Sequence, residues 1–183
     1  MPFLDYAKDF QGVADVFLRV PARYGPLQHF IEDVMTRESE LSKSDREIIA
    51  ARVSRLNGCD FCLGAHKWTL AAMDVDPALI AAAADAEDGP VEPKLGAVLA
   101  FADKMTETPG AIGAGDIDAL LAVGWSEQAV EDAINVVALF NYVNRLVDGF
   151  GIQGSTDYFR HIGTALAKHG YAPLIASAEK RAN

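Results

Sequence analysis

Apolar residues recur at spacings of three and four along nearly the whole chain, and nowhere do they alternate over a useful length. That pattern builds helices and leaves no material for a sheet. From Tyr24 to Met35 the apolar positions are Leu27, Phe30, Ile31 and Val34. The next helix has a start signal in Ser42, with Asp45 three residues on as a short capping-box acid. It runs to about Leu56 and stops at Asn57-Gly58. A third runs from near Cys59 to near Met73. Pro77 and Pro93 each open a further helix, as proline does in a first turn. Asp116 to Val123 makes a short helix, and Ser126 caps the longest, which ends at Gly149. Thr156 to Lys168 and Pro173 to Arg181 complete the set. The expected fold is all-α, a bundle of about eight to ten helices whose short loops make neighbours antiparallel. Glu87-Asp88-Gly89-Pro90 is the best internal break but is too short to link domains, so residues 1–183 are read as one domain.

The long helix is unusual. Between Ala129 and Val147 it is apolar on almost every side, with Ile134, Val137, Leu139, Phe140, Val143 and Leu146. Such a helix lies at the centre of a fold or between subunits. Both readings stand, and the second predicts a homo-oligomer. Asn141, Asn144, Arg145 and Asp148 interrupt its apolar surface as two i, i+4 pairs. They either line a polar pocket near the cysteines, satisfy one another or bridge subunits.

Charge and cysteine usage narrow the function. The formal net charge of -10 gives no basic face for a phosphate backbone, so no nucleic-acid partner is expected. No uncharged apolar run reaches the length of a membrane span. The first residues, Met-Pro-Phe-Leu-Asp-Tyr-Ala-Lys-Asp, lack the basic start and apolar run of an export signal, and the default location is the cytoplasm. The only two cysteines stand three positions apart, which reads as redox chemistry or half a metal site rather than a disulfide framework.

Cys59, Cys62 and His66 fall at i, i+3 and i+7, on one face of a helix, together with Leu63, Leu70 and Met73. Gly58 marks the turn into that helix, so both sulfurs lie near its N-terminus, where free N–H groups and the dipole favour a thiolate. A thiolate attacks a peroxide oxygen or a disulfide sulfur. Attack on a peroxide leaves a sulfenic acid, which a second thiol condenses to a disulfide. His66 is placed to move the proton, and a histidine so used usually has its other nitrogen held. Glu47 is the candidate holder: it lies one helix earlier, on a face with Ala50, Ala51 and Ser54 that is small enough for close packing.

Other readings compete. Cys59, Cys62, His66 and Glu47 could bind zinc, although three of these ligands would come from under two turns of one helix. The dithiol could serve disulfide exchange or redox sensing without a peroxide, or the cysteines could be core hydrophobes. A thioredoxin fold is set aside because no strand flanks the C-x-x-C. Gly149-Phe150-Gly151-Ile152-Gln153-Gly154 fits a dinucleotide fingerprint but follows a helix, so it reads as a C-cap and turn. Trp68 is expected in the core with Phe61, Ala65 and Ala72. Trp125 is expected as a staple beside the Ser126 cap, against Val130 or a neighbour. His29, His161 and His169 are expected in surface or capping roles.

Glu47, eleven residues, Cys59-x-x-Cys62, three residues, His66 resembles the signature of the alkylhydroperoxidase AhpD and carboxymuconolactone decarboxylase superfamily. Leu41-Ser42, Arg46-Glu47 and Asn57-Gly58-Cys59 agree with it, and the close match covers about 41–73. The layout is most similar to the longer peroxidase-related members. The resemblance implies an AhpD-like, homo-oligomeric helical bundle that reduces a small or organic hydroperoxide, with no cofactor and no resident metal. It implies that Cys62 is the peroxidatic thiol, that Cys59, nearer the surface, is the proton donor and resolving thiol, and that His66 and Glu47 form a proton relay. It also implies an external dithiol or lipoyl-type protein as reductant. Members that decarboxylate carboxymuconolactone typically lack the cysteine pair. The best-known peroxidase members carry a second histidine just before the second cysteine; Phe61 stands there and cannot relay a proton.

Overall fold

A computed structural model describes residues 1–85 and 89–182, the side chains of residues 181 and 182 apart. Glu87 and Asp88 of the expected internal break lie outside the described residues. Ten α-helices follow in order: α1 (Val13–Arg19), α2 (Pro21–Thr36), α3 (Lys43–Leu56), α4 (Asp60–Ala72), α5 (Pro77–Asp85), α6 (Pro93–Glu107), α7 (Ala114–Ala122), α8 (Glu127–Phe150), α9 (Thr156–His169) and α10 (Ala172–Ala182). Two single 3-10 turns, Asp5–Ala7 and Pro109–Ala111, join them, and there is no strand among the described residues. The expected all-α class holds. No helix among the described residues is long and apolar enough to cross a membrane.

The caps act as their residue types require. Ser42 Oγ accepts from Asp45 N at 3.1 Å, and Asp45 Oδ2 accepts from Ser42 N at 3.0 Å, which closes the capping box with an aspartate. Ser126 Oγ accepts from Ala129 N at 3.2 Å. Gly151 ends α8 in the left-handed region at φ +69°, the conformation only glycine adopts cheaply. Two departures from the sequence reading have local causes. Helix α1 spans seven residues and buries only Val16 and Phe17, too short a stretch to display an apolar period. Helix α2 begins at Pro21 rather than Tyr24, and keeps Pro26 inside it.

Helices α3 and α8 form the centre. Ile48, Ile49, Ala50, Ala51 and Val53 of α3 are almost fully buried, as are Ala133, Val136, Val137 and Val147 of α8. Helix α8 nevertheless keeps one solvent stripe through Glu131, Ala138, Tyr142 and Arg145. Its apolar surface is therefore not continuous.

A buried arginine joins α2 to α3. Arg46 is 3% exposed. Its guanidinium donates to Val34 O (3.0 Å), Arg37 O (2.6 Å) and Leu41 O (2.9 and 3.1 Å). These carbonyls lie at the end of α2 and in the following loop, where no helical N–H reaches them.

Helix α4 packs most extensively on α9 and α3. Gly163 lets α9 approach the α4 backbone closely. A Cβ there would stand 2.6 Å from the Trp68 carbonyl carbon and 2.7 Å from Thr69 N, both backbone atoms. Gly163→Ala is therefore expected to force the helices apart. Overpacking of this kind costs roughly 1–3 kcal/mol, more than alanine gains in helix propensity. A thermal melt should show a Tm several degrees lower; an unchanged Tm would mean that α4 and α9 can separate freely.

Candidate active site

The α3–α4 turn sets the cysteines. Gly58 takes φ +70° there, and the chain reverses so that Cys59 N donates to Ser54 O at 3.0 Å. The polar residues of α8 hold this turn. Asn57 Nδ2 donates to Asn141 Oδ1 (3.1 Å) and Asn144 Oδ1 (2.9 Å), and Asn144 Nδ2 donates to Ser54 Oγ at 3.0 Å. Arg145 donates to Asn141 O and Oδ1 at 2.6 and 2.7 Å. Asn141 and Asn144 thus satisfy one another's neighbourhood as a clamp. They do not line the apolar cavity beside Cys62 described below.

Cys59 is the N-cap of α4, Cys62 lies in its first turn, and His66 lies one turn further. His66 Nδ1 and Glu47 Oε2 are 2.6 Å apart, a hydrogen bond between side chains each only 4% exposed. The Phe140 ring meets the imidazole edge-on at 4.4 Å between centroids. The other carboxylate oxygen, Glu47 Oε1, accepts from the Tyr171 hydroxyl at 3.3 Å. All four expected site residues are brought together.

A cavity of about 140 Å³ lies against this group. Cys62, His66, Tyr158 and Tyr171 are the lining side chains that carry polar atoms; the remaining wall is hydrocarbon and aromatic, including Phe17, Ile31, Phe61, Val143 and Leu166. Cys62 is on the wall and Cys59 is not. This corrects one expectation: Cys59 is not the sulfur nearer the surface. It is 0% exposed against 4% for Cys62, because the N-cap position tucks it under the clamped turn. The Cys59 thiol is pushed well above the ordinary thiol range, first by its hydrogen bond to Cys62, then by burial, with Cys62 charge and Asp148 adding to it.

Two polar hollows flank the cavity. One, about 440 Å³, is lined by Gly58, Asp60, Asp148, Gln153 and Gly154. Phe61 lines both that hollow and the cavity, with its ring 5.5 Å from Tyr158 and 5.6 Å from Phe159. The residue that replaces a second histidine is thus an aromatic wall. The glycine run 149–154 supplies a C-cap and a turn, and Gly154 leaves room for the Phe159 ring, which a Cβ would meet at 2.3 Å. The second hollow, about 200 Å³, is lined by Glu32, Lys43, Glu47, Lys168 and His169.

Outlying expectations are resolved as follows. Trp68 is half-buried rather than core, because its backbone packs on Gly163 of α9 while its ring lies beside the exposed Arg160 side chain, whose guanidinium is 5.2 Å from the ring centroid. Trp125 is buried, donates from Nε1 to Lys94 O at 2.9 Å, and carries Lys94 Nζ over its ring at 4.0 Å. His161 and His169 are exposed, and His29 faces Glu179 at 3.8 Å on the surface. Among the described residues, no three His, Cys, Asp or Glu side chains are grouped so as to hold a metal ion. Sequence reading missed Tyr171, Phe140 and Tyr158. Tyr171 is 124 residues from Glu47 in the chain, and only the end-of-helix signal at Gly170 stands beside it.

Fold and site together define an all-helical protein with a buried cysteine pair and a glutamate-bound histidine on one cavity. Residues 24–104 match the model of the Carboxymuconolactone decarboxylase family. No match was found among curated proteins. Among solved structures, the chain is similar to an uncharacterized peroxidase-related protein from Silicibacter sp. TM1040. The two are 27% identical over 87% of this chain and 90% of that one, with a TM-score of 0.70. It shares its fold with an alkylhydroperoxidase AhpD core, an uncharacterized peroxidase-related protein from Ralstonia eutropha JMP134. That pair is 24% identical over 82% of this chain and 80% of the other, with a TM-score of 0.73.

Proposed function

We propose that the protein is a thiol-dependent hydroperoxide reductase. The observation that carries this reading is that Cys62 and His66 open onto one apolar cavity while Glu47 holds the far side of the imidazole. The Cys62 thiolate attacks the outer peroxide oxygen. The O–O bond breaks, and the leaving alkoxide takes a proton to depart as an alcohol. Cys62 becomes a sulfenic acid. His66, with its other nitrogen on Glu47, takes the proton from the Cys62 thiol beforehand and returns it to the leaving oxygen. Cys59 then attacks the sulfenic sulfur and gives up its proton as it does so; the proton leaves with the hydroxyl as water, and a disulfide forms. An external dithiol, of lipoyl type by analogy, restores both thiols and is itself oxidised to a disulfide. The hydrocarbon walls favour an organic hydroperoxide over hydrogen peroxide.

Cys62 on the cavity, with Cys59 behind it, supports this over decarboxylation, the reaction in the family's description. A second reading, disulfide exchange or redox sensing without peroxide turnover, is favoured by Phe61, which removes one proton carrier from between the cysteines. Self-association through the α8 stripe at Ala138 and Tyr142, half of whose surface is exposed, is part of the proposal. The test is hydroperoxide consumption by the reduced protein, with dihydrolipoamide and with dithiothreitol, beside a zinc assay. Sustained turnover in metal-free protein is expected. A single stoichiometric oxidation would transfer the weight to exchange or sensing, and stoichiometric zinc would overturn both.

A further inference from the structure

The Glu47 carboxylate stands between two spaces: Glu47 lines a polar hollow, and its two partners, His66 and Tyr171, line the apolar cavity. On one side is the apolar cavity with Cys62, His66 and Tyr171; on the other is the polar hollow with Glu32, Lys43, Lys168 and His169. Its partners from α4 and the α9–α10 turn are His66 and the Tyr171 hydroxyl. The lysines of the hollow carry the charge that a carboxylate prefers, and solvent reaches them. Glu47 lines that hollow together with Lys43 and Lys168, so a carboxylate held by His66 alone would have an opposite charge to turn toward. Rotation to that side would break the 2.6 Å contact with the imidazole.

Tyr171 opposes that rotation. Its hydroxyl occupies Glu47 Oε1, and its own backbone is fixed, because Tyr171 N donates to Glu32 Oε2 at 2.6 Å. Glu32 Oε1 in turn accepts from Thr36 Oγ1 at 2.9 Å. The tyrosine is thus anchored to α2 at one end and to α3 at the other, and it comes from a segment beyond the residues 24–104 that match the family model. The phenol stays protonated: burial first, and then the adjacent Glu47, hold it well above the ordinary tyrosine range. It therefore remains a donor throughout the working pH range.

We infer that Tyr171 is a positioning residue, which pins the Glu47 carboxylate against His66 and keeps it from turning into the lysine-bearing hollow. The pin rests on the relay in the proposed function but needs no peroxide to be tested. With Cys59→Ser leaving one thiol, alkylation of Cys62 by iodoacetamide across pH reads how well the imidazole–carboxylate pair supports the thiolate. A hydrogen bond to a charged group is among the stronger ones in proteins. Tyr171→Phe keeps the ring in the cavity wall and removes the hydroxyl. It is expected to raise the pH midpoint of alkylation and to slow the reaction at neutral pH about five- to tenfold, with an unchanged melting temperature. Glu47→Gln should move the midpoint the same way, and adding Tyr171→Phe to it should do little more. A wild-type midpoint in Tyr171→Phe, with Glu47→Gln shifted, overturns the pin and leaves the relay. Wild-type midpoints in both overturn the pin and the relay together. Failure of the intact protein to consume hydroperoxide would instead remove the proposed function alone, since alkylation does not depend on it.

Discussion

Cys62→Ser is expected to abolish hydroperoxide consumption. Serine is nearly isosteric with cysteine, and the 4% exposed site leaves little room for rearrangement, so the variant should fold and melt like the parent. Its hydroxyl cannot replace the thiolate, because alcohols ionise many units above a thiol and do not attack peroxide oxygen at neutral pH. The loss should therefore be complete to the detection limit, with no compensation from Cys59, which is fully buried, off the cavity wall and protonated. Cys59→Ser should behave differently. Cys62 would still be oxidised once, one equivalent of alcohol would form, and the sulfenic acid would persist, to be trapped by dimedone and located by mass spectrometry. Stopped assays of product per enzyme distinguish the two: zero equivalents, then one. Wild-type turnover by Cys62→Ser would remove this site from the chemistry, and continued turnover by Cys59→Ser would show that an external thiol resolves the sulfenic acid directly.

The helices were legible because each carries its own punctuation. Ser42, Ser126, Pro77, Pro93 and Gly151 act locally, and the structure uses them where local chemistry puts them. The pairing of Glu47 with His66 was legible for a similar reason: both lie on helices joined by one tight turn, so spacing alone limits their geometry. What was not legible depends on packing between distant segments. Tyr171 reaches Glu47 only because α10 and its preceding turn fold back over α2. The depth of Cys59 depends on Asn141 and Asn144, which read equally well as a pocket lining or as mutually satisfied pairs. Trp68 is displaced from the core by a contact with α9 that only Gly163, ninety-five residues later, makes possible.

Arg46→Met is expected to be among the most destabilising single changes away from the cysteines, since methionine fills much of the same volume and provides no donor. Three backbone carbonyls, Val34, Arg37 and Leu41, would lose their guanidinium partner. Each buried acceptor left unsatisfied costs about 1–3 kcal/mol. One term opposes this. No carboxylate touches the guanidinium among its hydrogen bonds, and burial, the largest influence on it, pulls its pKa below the ordinary arginine value. Removing a desolvated charge therefore returns part of the loss. The net effect is expected near 3 kcal/mol, a large share of the ~5–15 kcal/mol that holds a typical domain. For a chain of this size that corresponds to a Tm lower by about 6–12 °C. Arg46→Lys should fall between the two, because a single ammonium cannot fork to three carbonyls in different directions. Glu47 is the next residue on α3, so the same loss should loosen the carboxylate and slow Cys62 alkylation even below the new Tm. Urea and thermal unfolding of the three proteins measure the first effect. Equal stability of Arg46→Met and wild type would mean that desolvation of the guanidinium cancels its hydrogen bonds, and that α2 is held to α3 by apolar packing alone.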